Sequence, residues 1–199
     1  GTKQVYSSAN YLQEQLVSDR FRSFDGSKVK ESLGVFAKKR GDNLVESTIK
    51  IIENKDILLF SELFIRPKGP LKNEIDIGDV DILIVDKANQ TVFSVEGKSM
   101  SATRSMKEVV GELEKLFGSE GDSGWVGKHI RREDWLNENK DKVSQFVGLD
   151  ITDYKIQSIF LTDEEMIAPH IPSISLPFPF ITYYDIEELG YKALLNTIL

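Results

Sequence analysis

Two apolar runs constrain this chain more than anything else in it: Gly78-Asp79-Val80-Asp81-Ile82-Leu83-Ile84-Val85 and Thr91-Val92-Phe93-Ser94-Val95-Glu96-Gly97-Lys98. The polar link Asp86-Lys87-Ala88-Asn89-Gln90 between them is short enough to close a hairpin. Side chains on a strand alternate between faces, so Glu96 and Lys98 point one way while Phe93 and Val95 point the other. On the preceding strand Asp81 shares a face with Asp79 and Leu83. Pairing through the short link then sets Asp81 beside Glu96 and Lys98. Acids are depleted inside strands unless something uses them, which makes Asp81 and Glu96 the residues that need an explanation.

Elsewhere the period of the apolar residues sorts the chain into elements. Residues 3–20 can form a helix carrying Val5, Leu12 and Leu16, and from Phe21 to Arg40 the chain is basic and interrupted. A helix is predicted over 42–54, capped by Asp42 or Asn43, with Leu44, Val45, Ile49 and Ile52 at helical spacing. Ile57 to Ile65 reads as a strand stopped by Pro67, Gly69 and Pro70, and Ile75 to Val85 and Thr91 to Lys98 follow as strands. A helix is expected from Ala102 to Phe117, a loop over 119–124 and another helix from Glu133 to Val147. Strands at Ile156–Leu161 and Phe178–Tyr183 and a helix at Ile186–Leu199 complete the string. The order α-β-β-β-α-(α)-β-β-α packs naturally as an α/β fold, a central mixed sheet with helices on its faces. The 199 residues suffice for one domain. Within it, 1–40 reads as a helical and basic extension, 42–199 as the core and about 119–147 as an insertion that the core does not need.

Composition narrows the chemistry. The absence of cysteine excludes disulfides, zinc-thiolate sites, iron–sulfur clusters and cysteine nucleophiles. With only His129 and His170, any metal has to be hard and oxygen-bound, such as Mg2+ or Mn2+. No apolar run approaches the ~20 residues of a membrane span. The start Gly1-Thr2-Lys3-Gln4 has no apolar signal core behind it, so the expected location is cytoplasmic. A net charge of −7 lacks the basic excess of a free, tight nucleic-acid binder, although local patches set phosphate contacts.

Two carboxylates a few ångströms apart repel when both are ionised, and a divalent cation relieves that repulsion. Phosphodiester hydrolysis uses such an arrangement, with a nearby lysine to orient the nucleophile or stabilise developing charge. Asp81 followed by Glu96-Gly97-Lys98 at the end of the next strand resembles the PD-(D/E)xK nuclease superfamily, the restriction-endonuclease-like fold. The element order from about 42 onward is similar to that family's αβββαβ core. The resemblance implies a metal-dependent endonuclease acting on nucleic acid, DNA before RNA. It implies metal ligands at Asp81, Glu96, the Gly97 carbonyl and a glutamate from the preceding helix, for which Glu46 is the best match, and a catalytic role for Lys98. Two positions depart from the pattern. Val80 stands where the name has proline, and Gly97 replaces an apolar middle residue. A solvated helix face explains Glu46 as well as a ligand role does, and Glu62 is the substitute.

Phosphate contacts are expected from Lys128, Arg131 and Arg132, close to Trp125 and Trp135, and from Arg104 and Lys107 on the helix after the E-x-K strand. Ordinary helix-surface charge would look the same. A homodimer, or flanking domains of a longer protein, would fit such an enzyme. The rival reading is a nuclease-like fold used as a binding or assembly module with weak or no catalysis. Chemistry on a small phosphorylated substrate lacks the glycine-rich phosphate loop that would support it.

Overall fold

The computed structural model describes residues 27–100, 105–119 and 123–198. The expected helix over 3–20 lies outside them. The chain is an α/β protein whose five strands form one mixed sheet, in the spatial order β1-β2-β3-β4-β5. Helix α1 (Ser27–Ile52) leads into β1 (Ile57–Phe64), β2 (Asp79–Asp86) and β3 (Thr91–Lys98). These three strands form an antiparallel meander. Helices α2 (Met106–Phe117), α3 (Gly124–Glu138) and α4 (Lys140–Val147) then carry the chain to β4 (Lys155–Thr162), which pairs parallel to β3 along its whole length. The short β5 (Phe180–Thr182) lies parallel to β4 and runs directly into α5 (Tyr183–Leu189) and α6 (Lys192–Leu195).

Residue chemistry accounts for these elements. The β-branched and aromatic runs of β2 and β3 are buried almost throughout, so both faces of the hairpin need cover. On one face Leu44 and Ile52 of α1, with Ile186, Ala193 and Leu194, close over Ile82, Ile84, Phe93, Val95 and Ile159. On the other, Trp135 and Leu136 of α3 and Val143 and Val147 of α4 close over Leu63, Val80, Leu83, Val85 and Val92. A third cluster at the sheet's end joins Leu116 of α2 and Val126 of α3 to Met100, Phe160 and Phe178. Residues 124–147, read from sequence as dispensable to the core, therefore supply the helices that cover one face.

Three helix boundaries differ from the sequence reading. The first helix begins at Ser27 rather than at 42, passing through Gly34 and Gly41, which have open space around them. Each glycine costs roughly 1 kcal/mol relative to alanine without blocking the helix. The segment predicted as one helix from Glu133 is two, the first starting at Gly124. Gly124 has φ +59°, and a Cβ there would lie 2.4 Å from the Gly118 nitrogen and the Leu116 oxygen. Only glycine fits so close a turn between α2 and α3. The closing helix expected from Ile186 to Leu199 is two, α5 and α6; α5 starts at Tyr183 because the Thr182 hydroxyl and the Asp185 carboxylate cap it reciprocally, and Gly190 at φ +59° ends it. Among the described residues no helix is long and apolar enough to cross a membrane.

Candidate active site

The β2–β3 ladder runs from Asp86↔Thr91 to Ile82↔Val95 and then stops. At the next step the Gly97 N–H donates to the Asp81 carboxylate Oδ2 at 2.7 Å, so a side chain takes over where a backbone carbonyl would have paired. The strands also swap faces here. Leu58 and Phe60 of β1 pack on the same face as Leu63, and on β2 Val80 packs with Leu83 and Val85. Even and odd positions cannot share a face in a regular strand, so each chain must turn over between them. On β1 the turnover falls at Glu62, which holds φ +51° and sits opposite Asp81, between the pairs Ser61↔Ile82 and Leu63↔Val80. A left-handed non-glycine residue inside a strand costs on the order of 1–3 kcal/mol, and such strain concentrates at functional sites.

The turnover brings together the three residues singled out from sequence. The Lys98 Nζ lies 2.6 Å from Glu96 Oε1 and 3.9 Å from Asp81 Oδ2. The Asp81 carboxyl is pushed up to about 7, first by burial and then by the negative charge of Glu96, against the pull of Lys98 and the Gly97 N–H. Burial works against the Glu96 carboxylate too, but Lys98 and Arg132 outweigh it and hold its pKa below the ordinary value. The half-buried Asp79 adds its negative charge to the environment of Asp81. Gly97 is required by close packing. A Cβ there would lie 3.3 Å from Val45 Cγ2 and 3.6 Å from Asp81 Oδ2, so an apolar middle residue would wedge α1 away from the sheet.

Other expected site residues fall elsewhere. Glu46 is exposed on α1, away from the buried stripe of Leu44, Thr48 and Ile52. Glu62 is also exposed. Among the described residues no third histidine, cysteine or acid joins Asp81 and Glu96 in a metal-binding group, so the structure does not bring Glu46 together with them. Arg132, expected to contact phosphate, is instead buried at 4% exposure with its Nη2 on Glu96 Oε2. A surface role was the natural reading of Arg131-Arg132, but helical spacing turns only one of the two outward. Lys128 and Arg131 remain exposed on α3 and, with Ile75 to Asp79, line a groove of about 590 Å³ that reaches Arg132. Lys107 is exposed on α2; Arg104 lies outside the described residues.

The structure adds residues to this region. The Trp125 ring lies 5.8 Å from the Lys98 Nζ and 6.0 Å from the Lys115 Nζ, close enough for cation–π attraction. His129 is wedged between Phe160 and Phe178, each 4.9 Å away, and burial pushes its pKa down to about 4. It is a neutral core residue and no phosphate contact. Asp163, just after β4, accepts from the Arg40 guanidinium and the Ser99 hydroxyl at 2.6 Å each and from the Met100 N–H. That clasp ties α1 to the chain leaving Lys98. The parallel pair Lys98↔Thr162 sets positions 99 and 163 side by side, a proximity that no spacing along the chain could signal. Compared with family models, with curated proteins and with solved structures, the chain finds no match.

Proposed function

We propose that this protein is a divalent-metal-dependent phosphodiesterase acting on nucleic acid, DNA in the first instance, of the PD-(D/E)xK kind. The observation that carries the reading is the convergence of Asp81, Glu96 and Lys98 at one end of the sheet, with the lysine within 2.6 and 3.9 Å of the two carboxylates. The antiparallel meander followed through helices by a parallel β4 is similar to the αβββαβ core of that superfamily and supports the same assignment.

The donor set suits a hard cation. Asp81 and Glu96 offer carboxylate oxygens, and burial first and the Glu96 charge second raise the cost of ionising Asp81, a cost that a bound cation would offset. Mg2+ commonly binds through one or two carboxylates and keeps several waters, so two protein ligands are enough. When bound, such an ion would neutralise phosphate charge and make water a competent nucleophile at neutral pH. The chain's own residues would do the rest. Asp81 and Glu96 hold the ion, and the Gly97 N–H fixes the Asp81 carboxylate. Lys98, displaced from between the carboxylates, donates to the attacking water or to the phosphoryl oxygens. Lys128 and Arg131 offer cationic contacts along the adjoining groove.

One observation favours the second reading, a binding or assembly module of the same fold. Lys98 and Arg132 together neutralise Glu96, and among the described residues no third acid joins the pair. The test is incubation with supercoiled plasmid and with single-stranded DNA under Mg2+, Mn2+ or EDTA, beside Lys98→Ala. Cleavage that requires metal and is lost in the variant supports the enzyme. No cleavage with either metal, and no calorimetric metal binding dependent on Asp81 and Glu96, refutes it.

A further inference from the structure

Arginine is among the residues least often fully buried unless paired, yet Arg132 projects from α3 into the protein at 4% exposure. Its only hydrogen bond among the described residues runs from Nη2 to Glu96 Oε2, and its Nε has no partner. The chain makes room for it. Gly78, just before β2, holds φ +96°, and a Cβ there would stand 3.1 Å from the Arg132 Nη1. A guanidinium threaded past a left-handed glycine to make one ion pair is an expensive way to fill space, since an apolar side chain would avoid the desolvation.

The division of labour at Glu96 indicates what the pair does. Arg132 holds Oε2, while Oε1 faces Lys98 and, through it, Asp81. With one oxygen held by the buried guanidinium and the other by Lys98, the carboxylate is restrained, and Oε1 is the oxygen presented toward the second acid. We propose that Arg132 is a positioning residue for the metal site, clamping Glu96 so that a single oxygen is aimed at the cation. This rests on the phosphodiesterase reading above and assigns that site a residue for which sequence suggested a different task.

The test is a calorimetric Mn2+ titration of the full chain and of Arg132→Met, Arg132→Lys, Glu96→Gln and the Arg132→Met/Glu96→Gln double variant, with unfolding temperatures measured in parallel. Residues that orient metal ligands typically contribute about 10–100-fold in affinity, and that weakening is expected for Arg132→Met in folded protein. Arg132→Lys keeps the charge on a shorter side chain that does not place its nitrogen where Nη2 lies, so it should recover only part of the affinity. Should Arg132→Met fail to fold, Arg132→Lys alone carries the comparison. The decisive readout is a fall in Mn2+ affinity in Arg132→Met or Arg132→Lys that is still folded at the titration temperature, with Glu96→Gln, alone or combined with Arg132→Met, as the control that has lost a ligand. A merely structural arginine would lower the unfolding temperature and leave Mn2+ affinity native, and that result overturns the proposal while the phosphodiesterase reading stands. A native chain that binds no Mn2+ through Asp81 and Glu96 overturns both.

Discussion

Replacing Asp81 by asparagine removes a charge that the fold holds at a cost, so the variant should be more stable than the native chain at alkaline pH. Burial and the Glu96 charge lift the Asp81 carboxyl from 3.8 to about 7. A gap of that size corresponds to about 4 kcal/mol against the ionised form. The sign follows from proton linkage. Between the unfolded pKa near 4 and the folded pKa near 7 the native state binds the proton that the unfolded state has released, so stability drains away as pH rises through this window. Between pH 5 and pH 8 the loss is about 2–3 kcal/mol, and asparagine, whose amide oxygen can still accept the Gly97 N–H, does not suffer it. For a chain of this length that amounts to roughly 5–10 °C in unfolding temperature. The assay is thermal unfolding of both proteins at pH 5 and pH 8, with and without Mg2+. Groups that do not interact with Asp81 cancel in the difference between the two proteins, which leaves Asp81 and its neighbours Glu96 and Lys98. At pH 8 saturating Mg2+ should restore about 2.7 kcal/mol to the native chain at one hundred times its Kd and nothing to Asp81→Asn. A gap between the two proteins that stays constant from pH 5 to pH 8 would refute the claim that Asp81 is a carboxylate strained by burial.

Further outcomes follow from the same geometry. Arg132→Met leaves the buried Glu96 with Lys98 as its remaining cation and should cost about 1–3 kcal/mol in a urea titration; no loss would show that the guanidinium does not hold the carboxylate. Gly97→Ala sets a methyl 3.3 Å from Val45 Cγ2 and should cost about 1–3 kcal/mol by thermal unfolding, with no loss expected if α1 can recede freely. Lys128→Gln and Arg131→Gln should each weaken DNA binding and reduce the dependence of log K on log salt by about 1, measured by fluorescence anisotropy; an unchanged slope would place the nucleic acid elsewhere.

How much of this was legible in the chain depends on the range of the interaction. The strands were legible because β-branched runs broken by Pro67, Gly69 and the Asp86–Gln90 link are local signals. The start of α3 was not, because its inward side is polar. His129, Arg132 and Glu133 face Phe160, Glu96 and the Ser158 N–H, and no hydrophobic period betrays a helix that buries such residues. Its N-terminal turn is set instead by the backbone of α2 closing on Gly124. Period-based reading therefore began the helix at Glu133, where the apolar Trp135 and Leu136 take over.

The same rule divides the site. Asp81, Glu96 and Lys98 sit on two strands joined by a four-residue link, so alternation alone was enough to place them together. Glu46 was drawn in by analogy, and its exposure follows from the helical stripe Leu44, Thr48 and Ile52 that buries the opposite side of α1. Arg132 lies 36 positions from Glu96 and Arg40 lies 123 from Asp163, and pairings so distant depend on which helix covers which face. That dependence has a chemical consequence. Since α3 is at once the cover of the sheet and the source of the charge on Glu96, a change that shifts α3 should alter the metal site as well as stability. Packing and chemistry are coupled here through one guanidinium, and the residues that hold α3 down, Trp135 and Leu136, stand one helical turn beyond it.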